Sequence, residues 1–400
     1  MEKKDLLFIY PSMIIGGSTT ALLSLLNNLD KEKYNIHLQL YRNEGPLLDM
    51  IPSHVTLLPA AERYRGKSGR LWKGLKLLFS GHFFRALFGT KGKAGGRFAR
   101  GVLLDFQAKH LSRRCEKHYD CAIGYLENWS DRYLAFRVKA DQKFAWLHST
   151  FRNITDTPKY EIAWMKRVDK IVFVTDACKE NFKEEMPAMA EKAITVANIT
   201  DSEVIRQRSL SKDPTDEALM HFLSFSGLRL ITVCRLDSHV KGLDRIVLAA
   251  RKMKETGQAF LWFIVGDGED RSLLGRMIEE AELTDCLIPI GKRYNPYPFI
   301  AAADAMCMPS RFEGKPVTVT ESMILGTPPI VTSYLSAREQ IEDGWDGIVT
   351  ENTDEGILPP LLGLLEDKAP LVKMKANLKK RDYGNTDYIT ETEKILFGGQ

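Results

Sequence analysis

Two doubly wound α/β domains, facing each other across a cleft, are the fold class this sequence predicts. Length is the first reason: 400 residues are too many for one ordinary domain and enough for two, each able to bury its own core. Short apolar runs also alternate with longer amphipathic ones almost throughout, which is the βαβ pattern of parallel sheets. That alternation breaks once, at the polar Ser/Asp-rich stretch 201–218, and then restarts. The expected domains are therefore 1–200 and 201–380, with a C-terminal helical segment at 381–400 placed to cross back to the first domain. A hydrophobic content of 44% with 27% charged residues is that of a soluble globular protein.

In chain order, the first domain's strands are read at Leu6–Tyr10, Ile36–Tyr41, Val55–Leu58, Cys121–Tyr125, Phe144–Leu147, Ile171–Val174 and Ile194–Val196. The first of these could be mistaken for a secretory leader, but Asp5 and Pro11 interrupt it, and it reads better as a buried strand. The second domain restarts with Leu230–Val233, Leu261–Val265, Leu287–Ile290, Ala305–Met308, Pro329–Val331 and Gly347–Val349. Leu371–Leu396 reads as helical. No uninterrupted apolar stretch approaches the roughly 18 residues that span a bilayer. The six cysteines include no Cys-x-x-Cys pair and several sit in strand-like runs, so the expected compartment is a reducing cytoplasm, without a disulfide framework or a zinc site.

The net charge of +4 hides an asymmetry. From Glu62 to His118 there are 15 Lys/Arg against three acidic residues, which leaves the rest of the chain net acidic. Within this segment, Leu71, Trp72, Leu75, Leu78 and Phe79 fall on one side of a helix, with Arg70, Lys73 and Lys76 opposite. Such a helix can lie in an anionic membrane surface, or pack on its own domain. The expected partner of the basic segment Arg63–Lys117 is an anionic membrane surface, reached from the cytoplasm. Nucleic acid is not expected, because the aromatics sit among aliphatics rather than between cations.

Ligands of doubly wound sheets bind outside the carboxyl ends of strands, so those turns carry the candidates. Most informative is Glu313-Gly314-Lys315-Pro316-Val317-Thr-Val-Thr-Glu321, two carboxylates around a turn that opens a helix. Pro316 suits the first helical turn and Gly326 the stop. The backbone N–H groups after Lys315 form a ready anion site. Glu321 lies about 7.5 Å further on, at 1.5 Å per residue. That reach fits a phosphate at the helix tip, a ribose beside Glu321 and, near Glu313, whatever the phosphate carries: a nucleotide-sugar site. Val233-Cys-Arg235-Leu-Asp-Ser-His-Val-Lys241-Gly242 follows another strand, and its two cations match the charge of a sugar diphosphate ester without a metal. Gly16-Gly17-Ser18 ends the first strand, with Ser18 as a possible helix cap, although such a turn is equally a plain β–α connector. Gly266-Asp-Gly268 lacks the third glycine of the dinucleotide fingerprint. Gly291-Lys-Arg293-Tyr294, at a further strand end, is a candidate for holding the base. His148 ends its strand and is expected to face the cleft. No Walker loop, His-Glu-x-x-His or Asp-x-Asp metal motif occurs.

Together, Gly16-Gly17, Arg235 with Lys241-Gly242, Gly266-Asp-Gly268 and Glu313-Gly-x-Pro with Glu321 and Gly326-Thr-Pro resemble the retaining glycosyltransferases of the GT-B fold, family 4. The match covers most of residues 228–350 and is thinner over 1–200; Ile199 departs from the family's usual Asn-Pro/Gly before the linker. The resemblance implies two Rossmann-like domains, an acceptor-binding one and a nucleotide-sugar-binding one, and sugar transfer with retention and no metal cofactor. It would assign Arg235 and Lys241 to the diphosphate, Glu321 to the ribose, Glu313 and His148 to the donor sugar, and Gly17 to the phosphates. Expected partners are a nucleotide-diphosphate-sugar donor and a glycan or lipid-linked acceptor of surface polysaccharide or glycolipid assembly. A phosphorylase, a sugar-nucleotide epimerase or an inactive nucleotide-sugar-binding subunit are the alternatives.

Overall fold

The computed structural model describes residues 2–64, 101–155, 158–211 and 213–398. The amphipathic run 70–79, and most of the basic segment Arg63–Lys117 with it, lies outside them. Two compact units emerge: Met1–Ile199 together with Asp387–Gln400, and Thr200–Thr386.

In the first unit, β1 (Lys4–Tyr10), β2 (Tyr34–Leu40), β3 (Val55–Leu57), β4 (His118–Gly124), β5 (Lys139–Leu147), β6 (Lys170–Phe173) and β7 (Ala193–Thr195) form a parallel sheet in the order β3-β2-β1-β4-β5-β6-β7. The apolar run Leu6–Tyr10 is buried along its whole length, as a strand covered by helices on both faces must be. Strand order reverses between β1 and β4, where Ile9 pairs with Gly124. The C-terminal helix Ile389–Phe397 completes this unit: Glu393 accepts from the Asp30 N–H and Lys33, and the Phe397 ring lies 5.0 Å from Tyr34.

In the second unit, β8 (Leu228–Val233), β9 (Phe260–Val265), β10 (Leu287–Gly291), β11 (Ala305–Met308), β12 (Pro329–Thr332) and β13 (Ile348–Thr350) run parallel in the order β10-β9-β8-β11-β12-β13. Its reversal falls between β8 and β11. Trp262 is buried mid-sheet and donates to Thr232 at 3.0 Å, which donates in turn to the Cys307 carbonyl at 2.8 Å.

The stretch 201–218 is not the expected linker. It holds the whole helix Ser202–Ser209 and the start of Glu217–Ser224, capped by Asp201 and Asp216 through backbone N–H groups of Val204, Ala218 and Leu219. Ile205, Leu219 and Phe222 anchor these helices in the second unit's core. So few apolar residues on helices this short leave a polar-looking sequence. Leu371–Leu396 is likewise not one helix: Ala369–Leu378 ends before Gly384, whose close approach to Ser202 leaves no room for a Cβ. No helix among the described residues is long and apolar enough to cross a membrane.

Candidate active site

The reversal between β8 and β11 sets the loops Cys234–Gly242 and Pro309–Pro316 side by side at the carboxyl end of the second sheet. They are stitched directly: the Arg311 N–H donates to the Val240 carbonyl at 2.8 Å. Gly242 has φ +65°, and a Cβ there would stand 2.3 Å from the Pro309 carbonyl, so only glycine permits the approach. Lys241 Nζ consequently reaches Glu313 Oε1 at 2.6 Å, with their side chains 17% and 9% exposed. Ser310 Oγ donates to the same oxygen at 2.7 Å, and the Ser310 carbonyl is held by Thr332. Arg235 behaves differently. Its side chain is 69% exposed and pairs with Asp237 at 3.0 Å. Arg235, Asp237, Lys241 and Glu313 all act electrostatically on the half-buried Cys234 thiol, whose pKa desolvation pushes up to about 12. One charged cluster therefore surrounds the end of β8.

The helix after Lys315 runs Val317–Ile324. Pro316 precedes its first residue instead of occupying the first turn, with φ −66° and ψ 115°; its carbonyl accepts from Gln340 Nε2 at 3.0 Å. The Gly314 carbonyl accepts from Ser336 Oγ. Among the described residues no side chain caps this helix, so its first-turn N–H groups and the positive end of its dipole are presented to the loop. Lys315 is drawn below its ordinary pKa by burial, opposed by the Glu339 charge. Gly326 stops the helix at φ +73°, with the Thr327 N–H returning to the Ser322 carbonyl.

Glu321 is 4% exposed and accepts from the Tyr297 hydroxyl at 2.8 Å. Burial pushes its pKa up to about 7, against pull from the Tyr297 hydrogen bond and the Arg208 charge. Arg208 lies 4.8 Å from the Tyr297 ring centroid and donates to the Tyr294 carbonyl at 3.0 Å. Neither Arg208 nor Tyr297 was legible as a site residue, since one sat in an apparent linker and the other obeys no motif spacing. Arg293 is not brought to the Lys241–Glu313 pair; it stands 3.6 Å from Asp216 and over the Phe299 ring. Gly266, at φ +150°, and Gly268 press their turn onto the Cys234–Gly242 loop. A Cβ on either would lie 1.8 Å from the Cys234 carbonyl or 2.2 Å from that of Leu236.

In the first unit, Gly16 and Gly17 follow β1 and open the helix Gly17–Asn28. Gly16, rather than Ser18, is the capping position; Ser18 Oγ instead lies 2.7 Å from the Tyr10 hydroxyl. Gly16 is extended, and an added Cβ would meet nothing within 4 Å. His148 directly follows β5, half-buried. Its Nε2–H donates to the Tyr125 carbonyl at 3.2 Å, its backbone N–H donates to Glu127 at 3.1 Å, and burial lowers its pKa against the Glu127 charge. A polar concavity lined by Lys3, Asp5, His37, His54 and Lys117 lies at the amino ends of these strands, away from the carboxyl-end turns.

The chain is 30% identical over 161 residues to the amylovoran biosynthesis glycosyltransferase AmsK of Erwinia amylovora, covering 36% of the chain and 38% of that protein. It is 30% identical over 186 residues to the putative colanic acid biosynthesis glycosyltransferase WcaL of Escherichia coli K12, covering 42% and 45%. These matches thus span under half of either relative's length. In fold it is similar to Anabaena Alr3699/HepE, crystallised with UDP and glucose: TM-score 0.68 at 14% identity, over 98% of each chain. Residues 226–381 match the family described as glycosyl transferases group 1. The protein has the GT-B fold, and its match to the group 1 glycosyl transferases lies within the C-terminal unit.

Proposed function

We propose that this chain is a retaining glycosyltransferase that moves a sugar from a nucleotide-diphosphate-sugar to a glycan or lipid-linked acceptor in surface polysaccharide or glycolipid assembly. The observation that carries this reading is the contact of Lys241 with Glu313 at 2.6 Å, beside the uncapped start of the Val317–Ile324 helix. A cation, a carboxylate and a set of backbone N–H groups at a strand-order reversal are what a diphosphate and its attached sugar require.

In this reading Arg235, Lys241 and the N–H groups at Val317 take the diphosphate, Glu321 with Tyr297 takes the ribose, and Glu313 faces the donor sugar. As the bond from the anomeric carbon to the diphosphate oxygen breaks, the acceptor oxygen bonds to that carbon on the same face. The acceptor's proton passes to the departing diphosphate. Charge growing on that group is stabilised by preplaced cations and dipoles, with no resident metal called on. The first unit takes the acceptor, and the basic segment Arg63–Lys117 brings the enzyme to the cytoplasmic face of a membrane. AmsK and WcaL, by their names, serve amylovoran and colanic acid biosynthesis, which supports an acceptor in glycan assembly.

Thermal-shift screening with UDP-, GDP- and ADP-sugars identifies the donor, since a ligand at a hundred times its Kd stabilises by about 2.7 kcal/mol. Incubation of that donor with an acceptor panel should release a nucleoside diphosphate and yield an α-linked product from an α-linked donor by NMR. An inverted linkage overturns retention. Release of neither product, with every acceptor tried, overturns the transferase reading.

A further inference from the structure

The carboxyl end of β4 carries a group to which nothing above gives a role toward substrate. Glu127 lies three residues past Gly124, beside the strand-order reversal between β1 and β4, and is half-buried. One of its oxygens accepts the His148 backbone N–H at 3.1 Å, which leaves the carboxylate's other lone pairs for hydroxyl donors. Its charge acts on the Tyr10 phenol, whose hydroxyl is joined to Ser18 beside the Gly16-Gly17 turn. A carboxylate, an imidazole and paired hydroxyls therefore share one end of one sheet.

Two further features show the chain shaped around this position. Asn128, the next residue, has φ +80° and ψ −102°, a left-handed backbone that residues with a side chain seldom adopt; such strain persists where the surroundings over-determine it, often at functional positions. Behind it, Asp131 is fully buried, and among the described residues neither of its oxygens has a hydrogen-bond partner of ordinary geometry. Burial, and then the Glu127 charge, hold its pKa well above the usual carboxylate range.

We propose that Glu127 binds sugar hydroxyls of the acceptor, a glycan or polyol, in the first unit. This rests on the transferase reading and adds an acceptor-contacting residue to it. Carboxylates that accept from hydroxyl groups form short, charge-assisted bonds suited to vicinal diols.

The test compares wild type with Glu127→Gln, which retains an oxygen for the His148 N–H, and with Glu127→Asp, which retains charge but shortens the reach. The expected result is an acceptor KM raised roughly 10- to 100-fold in both, the span of one lost charge-assisted hydrogen bond, with UDP affinity and unfolding midpoint unchanged. Saturation-transfer NMR on a panel of methyl glycosides gives a readout that needs no turnover. Glycoside signals in wild type that vanish in Glu127→Gln uphold the proposal even if transfer is never detected. Transfer by Glu127→Gln with an unchanged acceptor KM overturns it and leaves the transferase reading standing. Equal weakening of UDP and acceptor, or the absence of any glycoside signal from wild type, also overturns it.

Discussion

Lys241 and Glu313 should move diphosphate affinity in opposite directions. Lys241 Nζ is committed to Glu313 at 2.6 Å in the ligand-free protein, with both side chains largely shielded from water. A diphosphate must draw that ammonium away from the carboxylate before it gains the contact. Replacing Lys241 by Met keeps the aliphatic stem and removes the charge. One cation–phosphate contact at ~4 Å and an effective dielectric of ~20 is worth up to about 4 kcal/mol. Discounted to about 2–4 kcal/mol, its loss lowers kcat/KM roughly 30- to 1000-fold and weakens binding of the nucleoside diphosphate. Removing one member of a shielded pair also destabilises the fold, here by about 1–3 kcal/mol, because Glu313 keeps its bond from Ser310. Glu313→Gln does the reverse to binding. It frees Lys241 and should tighten the nucleoside diphosphate by about 1–2 kcal/mol, roughly 5- to 30-fold, while transfer collapses for want of the carboxylate. Calorimetric titration of the two folded variants with UDP, or whichever diphosphate the donor screen selects, reads both signs. If Glu313→Gln binds the diphosphate no better than wild type, the ion pair does not compete with ligand and the reasoning fails.

The raised pKa of Glu321, about 7 against an ordinary 4.5, stabilises the fold below pH 4.5, and that contribution is lost as pH rises towards 7. Glu321→Gln, which can still accept from Tyr297, should therefore be more stable than wild type by about 2–3 kcal/mol at pH 8 and nearly equal to it at pH 4.5; urea unfolding with the same difference at both pH values refutes this. Gly266→Ala places a Cβ 1.8 Å from the Cys234 carbonyl and should cost about 3 kcal/mol or more, seen as a Tm lowered by several degrees. Gly16→Ala, where a Cβ meets nothing within 4 Å, should leave Tm unchanged yet lower kcat/KM if the donor's phosphates pack there. Asp201→Ala removes the N-cap of the Ser202–Ser209 helix and should cost about 1 kcal/mol by urea unfolding, because that helix is folded structure and not linker. Flotation on vesicles tests the basic segment, with binding expected to anionic vesicles, weakened by salt, and absent from neutral ones.

The strands were legible because each is a short apolar run, and a parallel strand buried on both faces tolerates little else: Leu6–Tyr10 and Phe260–Val265 are such runs. The carboxyl-end turns were legible through glycine and proline. Gly326 does hold positive φ, as the helix stop read there requires, whereas the direct contact of Lys241 with Glu313 was not legible. Arg208 escaped notice because short helices with one or two buried anchors look like linker in composition. Glu127 and Tyr297 escaped because single residues at strand and helix ends carry no periodicity.

Local sequence thus determined which segments become strand, turn and helix, since burial pattern and backbone preference act over a few residues. Tertiary structure alone decided which turns become neighbours, because the order of strands in each sheet sets that. Only with β8 beside β11 does Lys241 meet a carboxylate 72 positions away. Only with Glu321 buried in the folded unit and bonded to Tyr297 is the pKa of an ordinary glutamate pushed up to about 7.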